Sequence, residues 1–174
     1  MSLLFLIPGL LFYSGGTNLT ENEPSNLIED IGYKHGRPVF LTLAPIPGNP
    51  DIDRDLYLVP EAQLAWVDLL SASLQDGQLI KVNYAFRTHK QQMELRRTSR
   101  RRAGPPGWSQ HQAGLAVDIS GCVKTVKNKH GGSVKIKTPL FHWLKKNAPR
   151  YGFINTIKKE PWHWEYVSIK NASI

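Results

Sequence analysis

The chain has 174 residues, 41% of them hydrophobic and 21% charged, which excludes a disordered polar chain and suffices for one domain with its own core. Its 22 Lys and Arg against 14 Asp and Glu leave a net charge of +8, so an acidic partner is expected: nucleic acid, anionic lipid or an anionic wall polymer. The single cysteine, Cys122, excludes an intramolecular disulfide and a Cys-rich zinc module, and is expected to be a small buried hydrophobe.

The chain begins "MSLLFLIPGLLFYSGG". This apolar run has the length of a signal-peptide core and is too short to span a bilayer. Ser14, Gly15 and Gly16 follow it, but no Lys or Arg precedes it and Pro8-Gly9 interrupts it. Residues 1–16 therefore read either as an export segment or as a buried strand. Residues 17–59 are rich in Gly, Asn, Pro and Asp, which predicts an irregular, surface-hugging region with one short strand over 38–43.

In "VPEAQLAWVDLLSASLQDG", Ala62, Ala65, Trp66, Leu69 and Leu70 recur at three-to-four spacing, predicting a helix that Asp76-Gly77 stops. "LIKVNYAF" follows, with Ile80, Val82, Tyr84 and Phe86 alternating against Lys81 and Asn83, the period of a strand. Arg87 stands at its end. Thr88 and Gln91 then form a Thr-x-x-Gln capping box that opens a second helix, pinning Arg87 at a strand-to-helix junction. That helix runs into "RRTSRRRAGPPG", read as a solvated helix end or, alternatively, as an anion-binding rim.

"LAVDI" reads as another strand, and residues 124–137 as a basic, glycine-containing hairpin or loop. Thr138-Pro139 supplies an N-cap and a first-turn proline for a helix with apolar Leu140, Phe141, Trp143 and Leu144. Pro149 ends it and "YGFI" forms a short strand. In "WHWEYV", His163, Glu165 and Val167 share one face while Trp162, Trp164 and Tyr166 share the other. Strands interspersed with helices, without a regular βαβ rhythm, predict a single α+β domain with a small, mostly antiparallel sheet flanked by helices.

Chemistry concentrates in two stretches. "PPGWSQHQAGLAVDI" separates His111 from Asp118 by six residues that include Gly114, where the chain can bend. "KEPWHWEY" places Glu160 three residues before His163. Two imidazoles and one carboxylate suit Zn²⁺, and three protein ligands leave a fourth position open, the mark of a catalytic site. Glu160 would then be the free carboxylate that acts as base. Each spacing alone is common by chance. His35, His89, His130 and His142 lack such company and are expected to be structural or superficial, with His89 a remote supporting candidate because it lies two residues past Arg87.

"SQHQAGLAVDI" and "EPWHWEYV" together resemble the LAS-type zinc peptidases that cut bacterial peptidoglycan. The resemblance is to the branch containing VanY-like D-alanyl-D-alanine carboxypeptidases and phage L-alanyl-D-glutamate endopeptidases. The family pattern Ser-x-His-x6-Asp, then Glu-x-x-His, falls on Ser109, His111, Asp118, Glu160 and His163. "YAFRTHKQQ" resembles the family's strand-end Tyr-Arg-Ser/Thr segment, and "FHWLKKNAPRYGF" the helix and strand before its final motif.

The resemblance covers residues 60–168 and implies a catalytic core over 60–170 with a Hedgehog/D,D-peptidase-like fold. It further implies one zinc ion on His111, Asp118 and His163, with Glu160 as general base. Arg87 would pair with a substrate carboxylate or steady an oxyanion. Ser109 and Gln92 would hydrogen-bond the substrate's terminal groups. The chain departs from the commoner pattern at Ala85-Phe86-Arg87, where Gly-Tyr-Arg is frequent, and in the bulk of Trp162 and Trp164.

The implied activity is D-alanyl-D-alanine carboxypeptidase on peptidoglycan stem peptides. The alternatives are an L-alanyl-D-glutamate endopeptidase and a non-catalytic zinc-containing wall-binding module. No nucleic-acid module accompanies the charge, so the +8 fits attraction to an anionic cell envelope. The expected location is that envelope, periplasmic or secreted, reached by export or through phage lysis.

Overall fold

A computed structural model describes residues 26–47, 55–100 and 103–168. Residues 1–16, read as an export segment or a buried strand, lie outside them. Three antiparallel strands come first: β1 (Ile28–Lys34), β2 (Arg37–Ile46) and β3 (Leu56–Leu58), in the order β1-β2-β3. The two-residue turn His35-Gly36 holds φ at +50° and +77°. Positive φ at both central residues matches the right-handed twist of the strands it joins.

The expectation of an irregular region with one strand over 38–43 is thus corrected. The described part of residues 17–59 is mostly sheet, and the strand over 38–43 is the middle of β2. No strong local signal marks the hairpin, because "IEDIGYK" does not alternate cleanly and His35-Gly36 is not one of the Asn-Gly or Asp-Gly pairs that favour a two-residue turn.

Helix α1 (Pro60–Gln75) starts with proline at its first turn and buries Ala62, Trp66, Leu69 and Ser73, while Ala65 and Leu70 are only partly covered. Trp66 meets Phe153 edge to face, with ring centroids 5.5 Å apart. Strand β4 (Val82–Tyr84) leads to α2 (His89–Thr98), whose Thr88 and Gln91 form the expected reciprocal cap. A 3-10 turn over Gln110–Ala113 precedes β5 (Ala116–Ile119). The basic segment forms a hairpin of β6 (Val123–Lys127) and β7 (Ser133–Lys137). Helix α3 (Pro139–Asn147) is capped by the Thr138 hydroxyl, then β8 (Phe153–Ile154) and β9 (His163–Tyr166) complete the chain's described elements.

Strands β4-β5-β9-β8 make the central antiparallel sheet, so the described architecture is α+β. One face packs Val82, Val117, Ile119, Phe153 and Trp164 against α1 and α3. Burying each such side chain contributes about 1.5–3 kcal/mol. The alternation expected through Phe86 breaks down: Ile80 and Val82 are buried, but Tyr84 is 48% exposed and Ala85 is buried in its place. A register irregularity between Val82 and Tyr84 causes this, because one extra residue reverses the faces that follow it. Cys122 is buried as expected, and desolvation pushes its thiol pKa up to about 11, keeping it protonated and inert.

Candidate metal centre and active site

The register of the central sheet sets Asp118 on β5 directly opposite His163 on β9. Such opposed residues project from the same face with neighbouring Cβ atoms. The third group comes from the 3-10 turn. Gly114 ends that turn in the left-handed conformation, φ +68°, and sends the chain back into β5. His111 is thereby brought over Asp118.

The geometry is tight. His111 Nε2 lies 3.2 Å from Asp118 Oδ1 and 3.2 Å from His163 Nδ1, and His163 Nδ1 lies 3.1 Å from Asp118 Oδ1. A tetrahedral ion with bonds of about 2.1 Å would set its ligands about 3.4 Å apart. Both rings present their free nitrogen to this point. His111 Nδ1 is 2.7 Å from the Ala85 carbonyl oxygen, which can only accept, so a neutral ring keeps its proton on Nδ1 and offers the Nε2 lone pair to a metal. His163 Nε2 is 3.0 Å from Glu165 Oε1, which likewise leaves Nδ1 for a metal. The donor set fits Zn²⁺.

Without a cation, these groups titrate abnormally. Burial works against ionisation of Asp118, yet hydrogen bonds with His111 and His163 outweigh it and hold the carboxyl well below its usual range. Burial also works against the charged His163, but its bonds to Asp118 and Glu165 prevail and raise its pKa to about 9. Glu165 is lowered because its hydrogen bond to His163 overcomes its desolvation.

Arg87 sits beside this cluster. Its backbone N–H donates to the His111 carbonyl at 3.0 Å, one guanidinium nitrogen is 3.9 Å from Asp118 Oδ2, and the fork stacks 5.6 Å from the Tyr84 ring centre. Gln92 is buried. Its Oε1 accepts from Arg87 at 2.8 Å and its amide donates to the Gly104 carbonyl at 3.0 Å, so the structure makes it an anchor for Arg87. Ser109, Glu160, Trp162 and Trp108 line an open cleft of about 1140 Å³ that also contains Arg87 and the three metal-directed groups. The Glu160 backbone belongs to a turn braced by Asn155, whose amide donates to the Glu160 and His163 carbonyls at 2.9 and 2.7 Å.

His89 is not turned to the cluster. It stacks on Tyr33 at 4.2 Å and contacts the Gln112 amide at 3.3 Å. Gln112 is fully buried and accepts from the Gly107 N–H at 2.6 Å, tying together the loop that carries His111. The β1–β2 hairpin closes on the same loop. Gly36 N–H donates to the Gly107 carbonyl at 2.9 Å, and a Cβ on Gly32 would sit 2.5 Å from the Gln112 carbonyl oxygen. His35 meets Trp108 edge-on, His142 packs beside Phe141, and His130 lies exposed in the β6–β7 turn. At the end of α2, Arg97 pairs with Glu94 on the surface and Arg96 donates to the Arg100 and Ala103 carbonyls.

Four contributors to the site escaped sequence reading: the Ala85 carbonyl, Gln112, Asn155 and Glu165. Three act through main-chain partners, which leave no spacing signature. Glu165 did leave one, since it lies two residues from His163 on the same strand face.

The His111-Asp118-His163 cluster, set in an α+β scaffold beside an open cleft, offers three ligand atoms within 4.8 Å of one another to a metal ion. The family described as VanY, D-alanyl-D-alanine carboxypeptidase, matches residues 55–169, and the chain belongs to it. It is therefore a peptidase of the class that hydrolyses peptidoglycan peptides. The chain is 26% identical over 200 residues to a D-alanyl-D-alanine carboxypeptidase of Enterococcus faecalis, covering 91% of this chain and 70% of that protein. It is 28% identical over 167 residues to the bifunctional D-Ala-D-Ala dipeptidase and carboxypeptidase VanXYC of Enterococcus gallinarum, covering 81% and 80%. Against an Enterococcus faecium D-alanyl-D-alanine carboxypeptidase it spans 44% of the relative's length. Among solved structures, the LdcB LD-carboxypeptidase is similar with TM-score 0.56 and 25% identity, covering 72% of this chain and 67% of that one. A VanY D,D-pentapeptidase variant solved with Zn(II) shares the fold with TM-score 0.52 and 23% identity, covering 73% and 85%.

Proposed function

We propose that this chain is a zinc-dependent D-alanyl-D-alanine carboxypeptidase that trims peptidoglycan stem peptides at the bacterial cell envelope. The observation that carries the reading is the convergence of His111 Nε2, Asp118 Oδ1 and His163 Nδ1 on one point at the floor of an open cleft. Those three residues would hold one ion. Zinc bound there supplies Lewis acidity, lowering the pKa of water and polarising a carbonyl.

The chain's own residues do the rest. Glu160 lines the cleft two residues before His163's neighbour Trp162 and takes the proton of the attacking water, then returns it to the leaving amine. Arg87, fixed by Gln92 and Asp118, presents a permanent positive charge to the developing oxyanion or to the C-terminal carboxylate. The Ser109 hydroxyl lies on the same wall and can hydrogen-bond that carboxylate. An open cleft of about 1140 Å³ exceeds the needs of a free dipeptide and suits an extended stem. The net charge of +8 favours encounter with an anionic envelope.

The test is digestion of purified muropeptides by the zinc-loaded protein, read by mass. Loss of a single terminal alanine supports the proposal. Cleavage inside the stem would reassign it as an endopeptidase, and unaltered muropeptides would remove the hydrolase reading.

A further inference from the structure

We propose that Glu165 is a positioning residue that fixes the His163 ring so that Nδ1, and not Nε2, is the metal-binding atom. The inference rests on the zinc reading above and extends it to a residue outside the family's Ser-x-His-x6-Asp and Glu-x-x-His pattern.

The argument starts from the strand. Residues two apart on β9 project from one face, so Glu165 follows His163 onto the site side while Trp164 goes into the core. His163 is held between carboxylates: Asp118 faces its Nδ1 at 3.1 Å and Glu165 faces its Nε2 at 3.0 Å. A neutral imidazole carries one proton. Placed on Nε2 it donates to Glu165; placed on Nδ1 it would occupy the point where His111 Nε2 and Asp118 Oδ1 converge. Glu165 therefore selects the tautomer whose lone pair faces the cation. His111 is set the opposite way round, since the Ala85 carbonyl holds its Nδ1–H and frees Nε2. The two rings thus use different nitrogens, each dictated by its outer partner.

The pairing also separates the roles of two cleft carboxylates. Glu165 is engaged with His163 and its side chain is 17% exposed, whereas Glu160 belongs to the turn before β9 and lines the cleft wall. The base is the one not tied to a ligand ring. The negative charge of Glu165 further strengthens the imidazole as a donor, an effect that commonly changes metal affinity 10–100-fold.

The experiment measures zinc affinity by competition with a chromophoric chelator for the wild type, Glu165→Ala and Glu165→Gln, alongside nitrogen-15 spectra of the zinc-loaded wild type. The expected result is about 10–100-fold weaker zinc binding for Glu165→Ala, with most of the affinity kept by Glu165→Gln, whose amide oxygen still accepts from Nε2–H. The wild-type spectrum should show the His163 proton on Nε2. A proton on Nδ1, or a folded Glu165→Ala that binds zinc as tightly as the wild type, overturns the proposal. If Glu165→Ala does not fold, a wild-type proton on Nδ1, or a folded Glu165→Gln that loses most of its zinc affinity, still overturns the proposal. Zinc binding without muropeptide turnover would sink the hydrolase reading and leave this one standing; a wild type that binds no zinc would sink both.

Discussion

Gly114 and Gly77 offer a matched pair of perturbations. Both hold left-handed backbone, φ +68° and +67°, but their surroundings differ. A Cβ on Gly77 meets nothing within 4 Å, whereas one on Gly114 would lie 3.0 Å from Leu43 Cδ2, 3.1 Å from Val59 Cγ1 and 3.2 Å from Val59 N. In each Ala variant the left-handed conformation costs about 1–2 kcal/mol. The stiffer unfolded chain returns about 0.4–1 kcal/mol of that. Gly77→Ala should therefore lose about 1 kcal/mol. Gly114→Ala adds the cost of overpacking, about 1–3 kcal/mol. The Val59 backbone cannot retreat easily, because its N–H donates to the Gly114 carbonyl at 3.0 Å. Urea denaturation of the chelator-treated proteins should thus place Gly114→Ala about 1–3 kcal/mol below Gly77→Ala. In a chain of this size that gap corresponds to about 2–12 °C in Tm. Zinc affinity should fall for Gly114→Ala alone, since the strained turn carries His111. Equal losses in the two variants would refute the view that close packing at Gly114 sets the path of the metal-binding loop.

Removing a donor should remove the ion: His111→Ala and Asp118→Ala are expected to lose stoichiometric zinc by elemental analysis and all turnover, and retained zinc in either would count against the site. Glu160→Gln should bind zinc normally yet lower kcat at least 100-fold, the usual scale for a lost general base; unchanged turnover would disprove its role. Arg87→Lys should raise KM or lower kcat despite keeping the charge, because a single ammonium cannot reproduce the fork that reaches both Gln92 and the Asp118 side of the site. For the metal-free protein, the raised pKa of His163 contributes stability that is complete below pH 6.5 and lost as pH climbs through about 9. Asp118 and Glu165 are lowered, so their share exists above the ordinary carboxylate range and disappears as pH falls. These shifts share the same hydrogen bonds, so their free energy counts once, at most about 3 kcal/mol for His163. Urea midpoints should be highest near pH 6 and fall on both sides, and zinc should stabilise more at pH 8 than at pH 6 because it competes with protons for the ring. A midpoint that does not change between pH 6 and 10 would contradict the coupling.

The elements legible in the sequence are those set by local rules. The Thr88–Gln91 cap, the Thr138-Pro139 start of α3 and the period of α1 each depend on residues within one or two turns, and the structure shows all three. The alternation of "WHWEYV" likewise sorts Trp164 into the core and His163 toward the cleft. Where the reading failed, a distant partner decided. The irregularity in β4 that hides Ala85 and exposes Tyr84 comes from pairing with β5, and the β1–β2 hairpin is held by contacts with a loop some seventy residues later.

The donor types and their two motifs were present in the sequence by itself, because ligand chemistry belongs to individual side chains. Only the tertiary structure decided that His111, Asp118 and His163 meet, which nitrogen each ring turns inward, and that Gln92 holds Arg87. Those outcomes depend on strand register and on backbone carbonyls, which every residue possesses alike and no sequence pattern can therefore distinguish.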